Sequence, residues 1–519
     1  MPTAVRADSP EPQERRGRAL ATAVLIVLIG AGTAMRVQGL TRLGLYRDDA
    51  WAAMSSRVGI GTAWHMWVTA PAFYFLERSF IGFHPGVSWW AQIPPLVAGI
   101  AAIPGIYLLA RHFGFARPVG LIVALLVCVS PVCIVYSTRL KEYGTVFLMT
   151  CAVLWVAETA RRRPARARLV QLAIASVLAF VVSASMGPVV AGVWIALILS
   201  AAWERRLRRD EVVIAAVVAG GCGIVAAIFY RRISPSLSKF WASDYISHGS
   251  VAAFVRSLRG GLWGVYLNLL HLPALTGSGQ LLLLLVLLGL SVLGVARNPA
   301  MLGPACIAVV AVCASAAHVA PLGTGRTDEY LYPALLLLLA SGVVSLWAGL
   351  REHVGAEWRN IARPVAAAVG VVVGAVLIVV AIATTAPYPG FAVQTLAAEI
   401  SRTAEPTDHI VVGELARYPW AYDEDRPLRV RFGPDWSTYF TVVSTDPRVF
   451  IVPSEGYEGG SHPARWADEL RPYGRLWFVE SPPLSLNPTY AALLADGWHR
   501  VRTLTVTGGA AILLERTSG

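Results

Sequence analysis

Residues 63–82 read AWHMWVTAPAFYFLERSFIG, and whether they cross a membrane decides the side on which every later loop lies. The stretch is apolar enough to tempt such an assignment, yet it contains Pro71, Glu77 and Arg78. A span here would also turn the arginine-rich loops outward. Those loops carry Arg111 to Arg117, then Arg161-Arg162-Arg163 with Arg166 and Arg168, then Arg205-Arg206-Leu207-Arg208-Arg209, then Arg297, then Arg351 through Arg363. Lys and Arg accumulate in cytoplasmic loops. The segment is therefore expected to lie in the interface as an amphipathic helix, flanked by the interfacial aromatics Trp64-His65-Met66-Trp67 and Trp89-Trp90.

Working outward from that segment, apolar runs long enough to span fall at about 19–37, 90–110, 118–136, 143–160, 168–184, 187–203, 211–230, 280–296, 301–319, 330–349 and 363–385. The arginine loops alternate with loops at 38–89, 137–142, 184–187, 231–279 and 320–329, which are expected outside together with everything after Ala386. The second long outer loop contains its own amphipathic stretch, 251–270, with Arg256 and Arg259. Residues 1–18 are polar and end in Arg15-Arg16-Gly17-Arg18, with no small-residue cleavage site in the run that follows. They are expected to be a disordered cytoplasmic tail before a retained first helix.

Composition agrees with two solvents. Only 15% of the 519 residues are charged and the mean hydropathy is +0.56, whereas a soluble chain carries about 25% charged residues. Sixteen of the 32 acidic residues lie between Phe391 and Gly519, so the acid-poor part precedes an acid-rich tail. The net charge of +12 comes from helix-orienting loops rather than a basic patch, which argues against nucleic acid. The six cysteines lie in or beside apolar runs without zinc or disulfide spacing.

From Phe391 the pattern changes. A helical stretch, Val393 to Arg402, leads to a strand at His409-Ile410-Val411-Val412. Further strands are expected at Val449–Val452, Leu476–Val479, Val501–Val506 and Ala511–Leu514, with helices Pro463–Leu470 and Pro488–Ala495 among them. The expected fold class is an all-α polytopic membrane domain of about eleven transmembrane helices with a C-terminal soluble α/β domain. The divisions are 1–18, 19–385 and 386–519. No glycine-rich phosphate loop opens a helix of the last part.

Chemistry concentrates in the outer loops. Leu45-Tyr46-Arg47-Asp48-Asp49-Ala50-Trp51 follows the first span. Adjacent carboxylates at a membrane surface suit handling of a proton, metal or cation, and equally suit the start of a helix. Tyr136-Ser137-Thr138-Arg139-Leu140-Lys141-Glu142-Tyr143 and Gly323-Thr324-Gly325-Arg326-Thr327-Asp328-Glu329-Tyr330 are two further clusters. The first is otherwise an interface anchor, and in the second an Arg326–Asp328 salt bridge is the structural alternative. Arg231-Arg232, Lys239, Trp241, Asp244 and Tyr245 form a fourth. Outer cations near two carboxylates suit an anionic phosphate beside a general base.

Four segments in register resemble one family. Asp48-Asp49-Ala50-Trp51 stands where GT-C membrane glycosyltransferases of the protein-mannosyltransferase and RgtA-to-D-like type carry Asp-Glu-Ala. Trp89 to Gly99 resembles their RLPSLLAGL entry into helix two, Val135 to Tyr143 their YSxExRxY segment, and Gly325 to Leu335 their RYLLPAL segment. The likeness covers roughly residues 1–385. The second acid is Asp rather than Glu, and the HPPLYY segment survives only as Ala70-Pro71-Ala72-Phe73-Tyr74.

The resemblance implies an inverting glycosyltransferase of the cytoplasmic membrane, N-terminus inside and C-terminal domain outside. It would move a sugar from a polyprenyl-phosphate carrier to a lipid, glycan or protein acceptor on the outer face, among membrane lipids. By it, Asp48 is the base and Asp49 orients it, holds the acceptor or ligates a metal. Arg139, Lys141 and Arg326 are the donor-phosphate contacts; Glu142, Asp244 and Tyr136 serve the acceptor side. The metal is left unassigned: Asp48 and Asp49 are its ligands if a divalent cation, Mg²⁺ or Mn²⁺, is used. The rivals are a lipid-linked sugar transporter or flippase, which should show repeats and mid-helix charges, and a membrane sensor with an outer ligand-binding domain.

The expected topology is tested by fusing alkaline phosphatase after Gly519. The fusion is expected to be active, and an active cytoplasmic reporter at the same point would overturn the orientation.

Overall fold

The computed structural model describes residues 12–40, 44–59, 70–84, 86–230, 241–272, 275–353, 372, 374–383, 390–423, 429–432, 440–453, 463–481 and 487–517. The expected features at 63–69 and 231–240, and most of the run at 363–385, lie outside the described residues. The chain is a multi-pass membrane protein. Among the described residues eight helices are long and apolar enough to cross a bilayer, or nine if the bent pair Arg117–Val129 and Pro131–Thr138 is one span. The run at 363–385 lies mostly outside these residues, so the described spans are part of the expected set of about eleven. The run at 168–184 forms the 17-residue helix Arg166–Val182, about 26 Å long against a core of about 30 Å. The first helix begins at Pro12, so the end of the expected disordered tail is helical.

Helices Gly277–Arg297 and Tyr332–His353 approach at backbone distance. A Cβ on Gly342 would stand 2.0 Å from the Leu290 carbonyl oxygen, and Ser341 Oγ donates to the Gly294 carbonyl at 3.1 Å. Close approach through small residues drives association where lipid removes the hydrophobic incentive.

The bent pair breaks by 62° around Ser130. Pro131 has no N–H, so the Val127 carbonyl loses its helical donor. Arg36, fully buried at the end of the first span, replaces it. Its Nη2 donates to Val127 O at 3.0 Å and its Nη1 to Cys128 O at 3.3 Å. Its Nε donates to Ser137 Oγ at 3.0 Å. Intramembrane charge usually marks a transport path; here it holds a broken helix and fixes the turn that presents Arg139 and Lys141.

Helices Arg47–Arg57, Pro71–Phe83 and Val251–Leu270 lie between the long apolar helices. The second and third form on the described parts of the two stretches expected to be helical.

The C-terminal part is α/β as expected. Its strands are β1 (His409–Val412), β2 (Arg429–Phe432), β3 (Phe440–Val443), β4 (Val449–Ile451), β5 (Arg475–Glu480), β6 (Trp498–Val506) and β7 (Gly509–Arg516). The main sheet runs β4-β1-β5-β7-β6, with β1 parallel to β4 and β5 and the β5–β7 and β7–β6 pairs antiparallel. Helices Pro463–Leu470 and Pro488–Ala495 fall on their expected bounds. Helix Arg417–Asp423 and the β2–β3 hairpin are additional.

That unforeseen helix joins the two parts. Ala50, Ala53 and Met54 share one apolar core with Phe391, Leu396, Tyr418, Ala421, Tyr422 and Leu513. Arg57 Nη1 donates to the Tyr422 carbonyl at 3.2 Å. The C-terminal domain therefore buries the back of the helix that carries the two acids.

Gly44 tests this junction. Its φ is +121° and a Cβ there would stand 2.0 Å from Phe391 O and 2.7 Å from Asp423 Oδ2. Gly44→Ala is expected to cost about 1–3 kcal/mol and to lower the melting midpoint in detergent. Gly82→Ala, in open space on a helix, should leave the midpoint unchanged or raised. Equal midpoints for the Gly44 variant and wild type would show that the junction is slack.

Candidate active site

Asp48 and Asp49 occupy the first turn of helix Arg47–Arg57, with Tyr46 as its N-cap residue. The helix dipole favours anions there. Their surroundings differ. Asp49 is buried at 2% exposure. Its Oδ1 accepts from Arg139 Nε at 2.9 Å and from the Leu140 N–H at 3.0 Å, and its Oδ2 lies 2.8 Å from the same Nε. Burial pushes the Asp49 carboxyl upward, and Arg139 works against that push. Removing the guanidinium would strand a buried charge, at a cost of about 3–5 kcal/mol.

The Asp48 side chain keeps 26% of its exposure. Its Oδ1 is 3.5 Å from Arg47 Nε, and its Oδ2 is 3.5 Å from Arg326 Nη2 and 3.9 Å from Arg139 Nη2. Arg326 is steered by its Nε bond to the Tyr143 hydroxyl at 2.9 Å and lies over the Trp241 ring at 5.6 Å. The alternative Arg326–Asp328 salt bridge is not formed. Asp328 instead accepts backbone N–H bonds from Gly325 at 2.8 Å and Gly323 at 3.2 Å, stapling the turn that carries Arg326. Burial pushes the Asp328 carboxyl up to about 6.

Lys141 is buried, with its ammonium 4.4 Å over the Trp51 ring. Burial lowers its pKa, while Glu142, Asp48 and Asp49 favour its charge. Tyr136 packs edge-on to Tyr143 at 4.9 Å, and Glu142 accepts from Ser183 Oγ at 3.3 Å. Three loops distant in sequence therefore converge. Asp244 accepts from Ser243 Oγ at 3.5 Å, and its carbonyl accepts from the Leu322 N–H at 3.0 Å, next to the turn that carries Arg326. Arg231, Arg232 and Lys239 lie outside the described residues.

Two site residues escaped the expectations. Arg47 was visible in the sequence, adjacent to Asp48. Glu77, on helix Pro71–Phe83, is 1% exposed and neither carboxyl oxygen has a hydrogen-bond partner. Burial and then the charge of Asp49 push its carboxyl well above the ordinary carboxylate range. Its signal was a lone Glu on an otherwise apolar interfacial helix.

No protein-family model and no curated protein matches the sequence. Among solved structures, the chain is similar to ArnT from Cupriavidus metallidurans in the apo state. The TM-score is 0.51 and the identity 14%, over 97% of this chain and 98% of that one. The chain has an ArnT-like fold. A structure of the same ArnT bound to undecaprenyl phosphate aligns at TM-score 0.49 and 15% identity, over 96% and 98% of the two chains. The alignment with apo ArnT runs through the membrane bundle and the C-terminal domain alike, so the ArnT-like fold includes the sheet that backs the acids.

Proposed function

We propose that the protein is a GT-C glycosyltransferase that takes a sugar from a polyprenyl-phosphate carrier. The observation that carries this is Asp48: a solvent-reachable carboxylate ringed by Arg47, Arg139 and Arg326 on an ArnT-like fold. A lone general base would not need that much positive charge. A base beside a departing phosphate would.

In this reading Asp48 takes the proton of the acceptor hydroxyl as its oxygen attacks the anomeric carbon. The bond between that carbon and the phosphate oxygen breaks, and its electron pair leaves with the lipid phosphate. Attack opposite the leaving group inverts the anomeric carbon. Arg326, Arg47 and Lys141 stabilise the growing phosphate charge. Arg326 is the stronger candidate for direct contact, because its side chain is 31% exposed against 7% for Arg139. Glu142 and Tyr136 remain acceptor-side candidates beside it. The chemistry is placed on the outer membrane face, with a hydroxyl-bearing lipid, glycan or protein as acceptor.

Transfer from polyprenyl-phosphate sugars by the full chain in proteoliposomes tests this. Asp48→Asn should fold, keep its donor KM and lose about 10²–10⁴-fold in kcat. Near-normal turnover by that variant would return Asp48 to a helix-start role. Arg326→Ala should raise the donor KM about ten- to a hundred-fold, since a charge-assisted bond is worth about 1.5–3 kcal/mol. An unchanged KM would remove Arg326 from the phosphate site.

A further inference from the structure

We infer that Arg139 takes the place of a divalent cation at this centre, a fixed guanidinium that clamps Asp49 and leaves Asp48 to act. The inference deepens the proposed function and rests on it only for the role of Asp48.

Adjacent carboxylates invite a hard cation, and Mg²⁺ would need near-octahedral oxygen ligands at about 2.0–2.1 Å. The donor set here does not fit. Both oxygens of Asp49 are engaged by the Arg139 guanidinium, and one also accepts the Leu140 N–H. Asp48 faces guanidinium nitrogens on both oxygens. A dication entering between the acids would have to displace Arg139 from both oxygens of Asp49. Among the described residues no group of three His, Cys, Asp or Glu side chains could hold a metal ion.

Arg139 is built in, not draped over. It is 6% exposed and its guanidinium lies 4.8 Å over the Tyr46 ring, the residue that starts the acid-bearing helix. Only a planar fork can meet a carboxylate edge-on while stacking on an aromatic face. Arg139 is thus a positioning residue. It fixes the first turn through Asp49, and its Nη2 adds a fixed positive charge 3.9 Å from Asp48.

The test uses the full-length protein in detergent and Mn²⁺ alone as probe, followed by electron paramagnetic resonance. The wild type should show no saturable Mn²⁺ site that Asp49→Asn removes. Arg139→Glu should gain one Mn²⁺ per chain, lost again when Asp49→Asn is added. If the glutamate variant does not fold, Arg139→Gln replaces it, and Mn²⁺ should raise its melting midpoint while leaving the wild-type midpoint unmoved. A stoichiometric wild-type site abolished by Asp49→Asn would overturn the inference. So would a folded Arg139 variant, glutamate or glutamine, that is indifferent to Mn²⁺. Neither readout needs turnover, so the result stands apart from the fate of the glycosyl-transfer proposal.

Discussion

The buried ion pair between Asp49 and Arg139 joins the parts of this molecule that sequence separates. Asp49 sits on the first helix after the first span, and Arg139 on the turn after a broken one, ninety residues later. A buried pair of this kind adds little net stability over apolar packing, because desolvation consumes most of the attraction. Its value is geometric. A displaced partner would leave an unpaired charge out of water, so the two segments have one acceptable register.

That register is enforced from both sides. On the bundle side, Pro131 opens a helix, Arg36 fills the vacated carbonyls, and the turn from Tyr136 to Thr138 is fixed through Ser137. On the other side, the C-terminal domain covers the apolar back of helix Arg47–Arg57 with Tyr418, Ala421 and Tyr422. The helix is short, at 11 residues, and would be marginal alone. Packed between a membrane bundle and a sheet, it holds its first turn still. The C-terminal domain therefore acts here as a buttress of the acid-bearing helix.

Much of this was legible in the sequence, for identifiable reasons. The membrane helices showed as long apolar runs because lipid faces them, and the central strands of the tail showed as short apolar runs because both faces of the sheet are buried. Helices Pro463–Leu470 and Pro488–Ala495 each open with proline at a first helical turn, so their starts were marked. Helix Arg417–Asp423 was hidden because its sequence, RYPWAYD, carries a proline and five aromatic or charged groups without helical periodicity. A 17-residue helix at 168–184 and the proline break at Ser130-Pro131 read like full straight spans, because hydropathy does not see length in space. That Arg139 is buried against Asp49 was hidden, because exposure cannot be read from a motif. The residues that meet were legible, but which of them face solvent was not.

The division of labour between the two acids follows from helix geometry itself. Successive residues on an α-helix point about 100° apart. Two adjacent aspartates therefore cannot share one environment once one face of the helix is packed. With Ala50, Ala53 and Met54 against the C-terminal core, Asp49 turns inward to Arg139 and Asp48 turns toward solvent and Arg326. A carboxylate that is buried and engaged through both oxygens is closed to an incoming hydroxyl, because its acceptor positions are already taken. The half-exposed neighbour makes only ion pairs at 3.5–3.9 Å, loose enough for an incoming hydroxyl to compete. The surplus of guanidinium groups then has one consistent use. On the proposed reading it stands where an anion leaving beside Asp48 would be received.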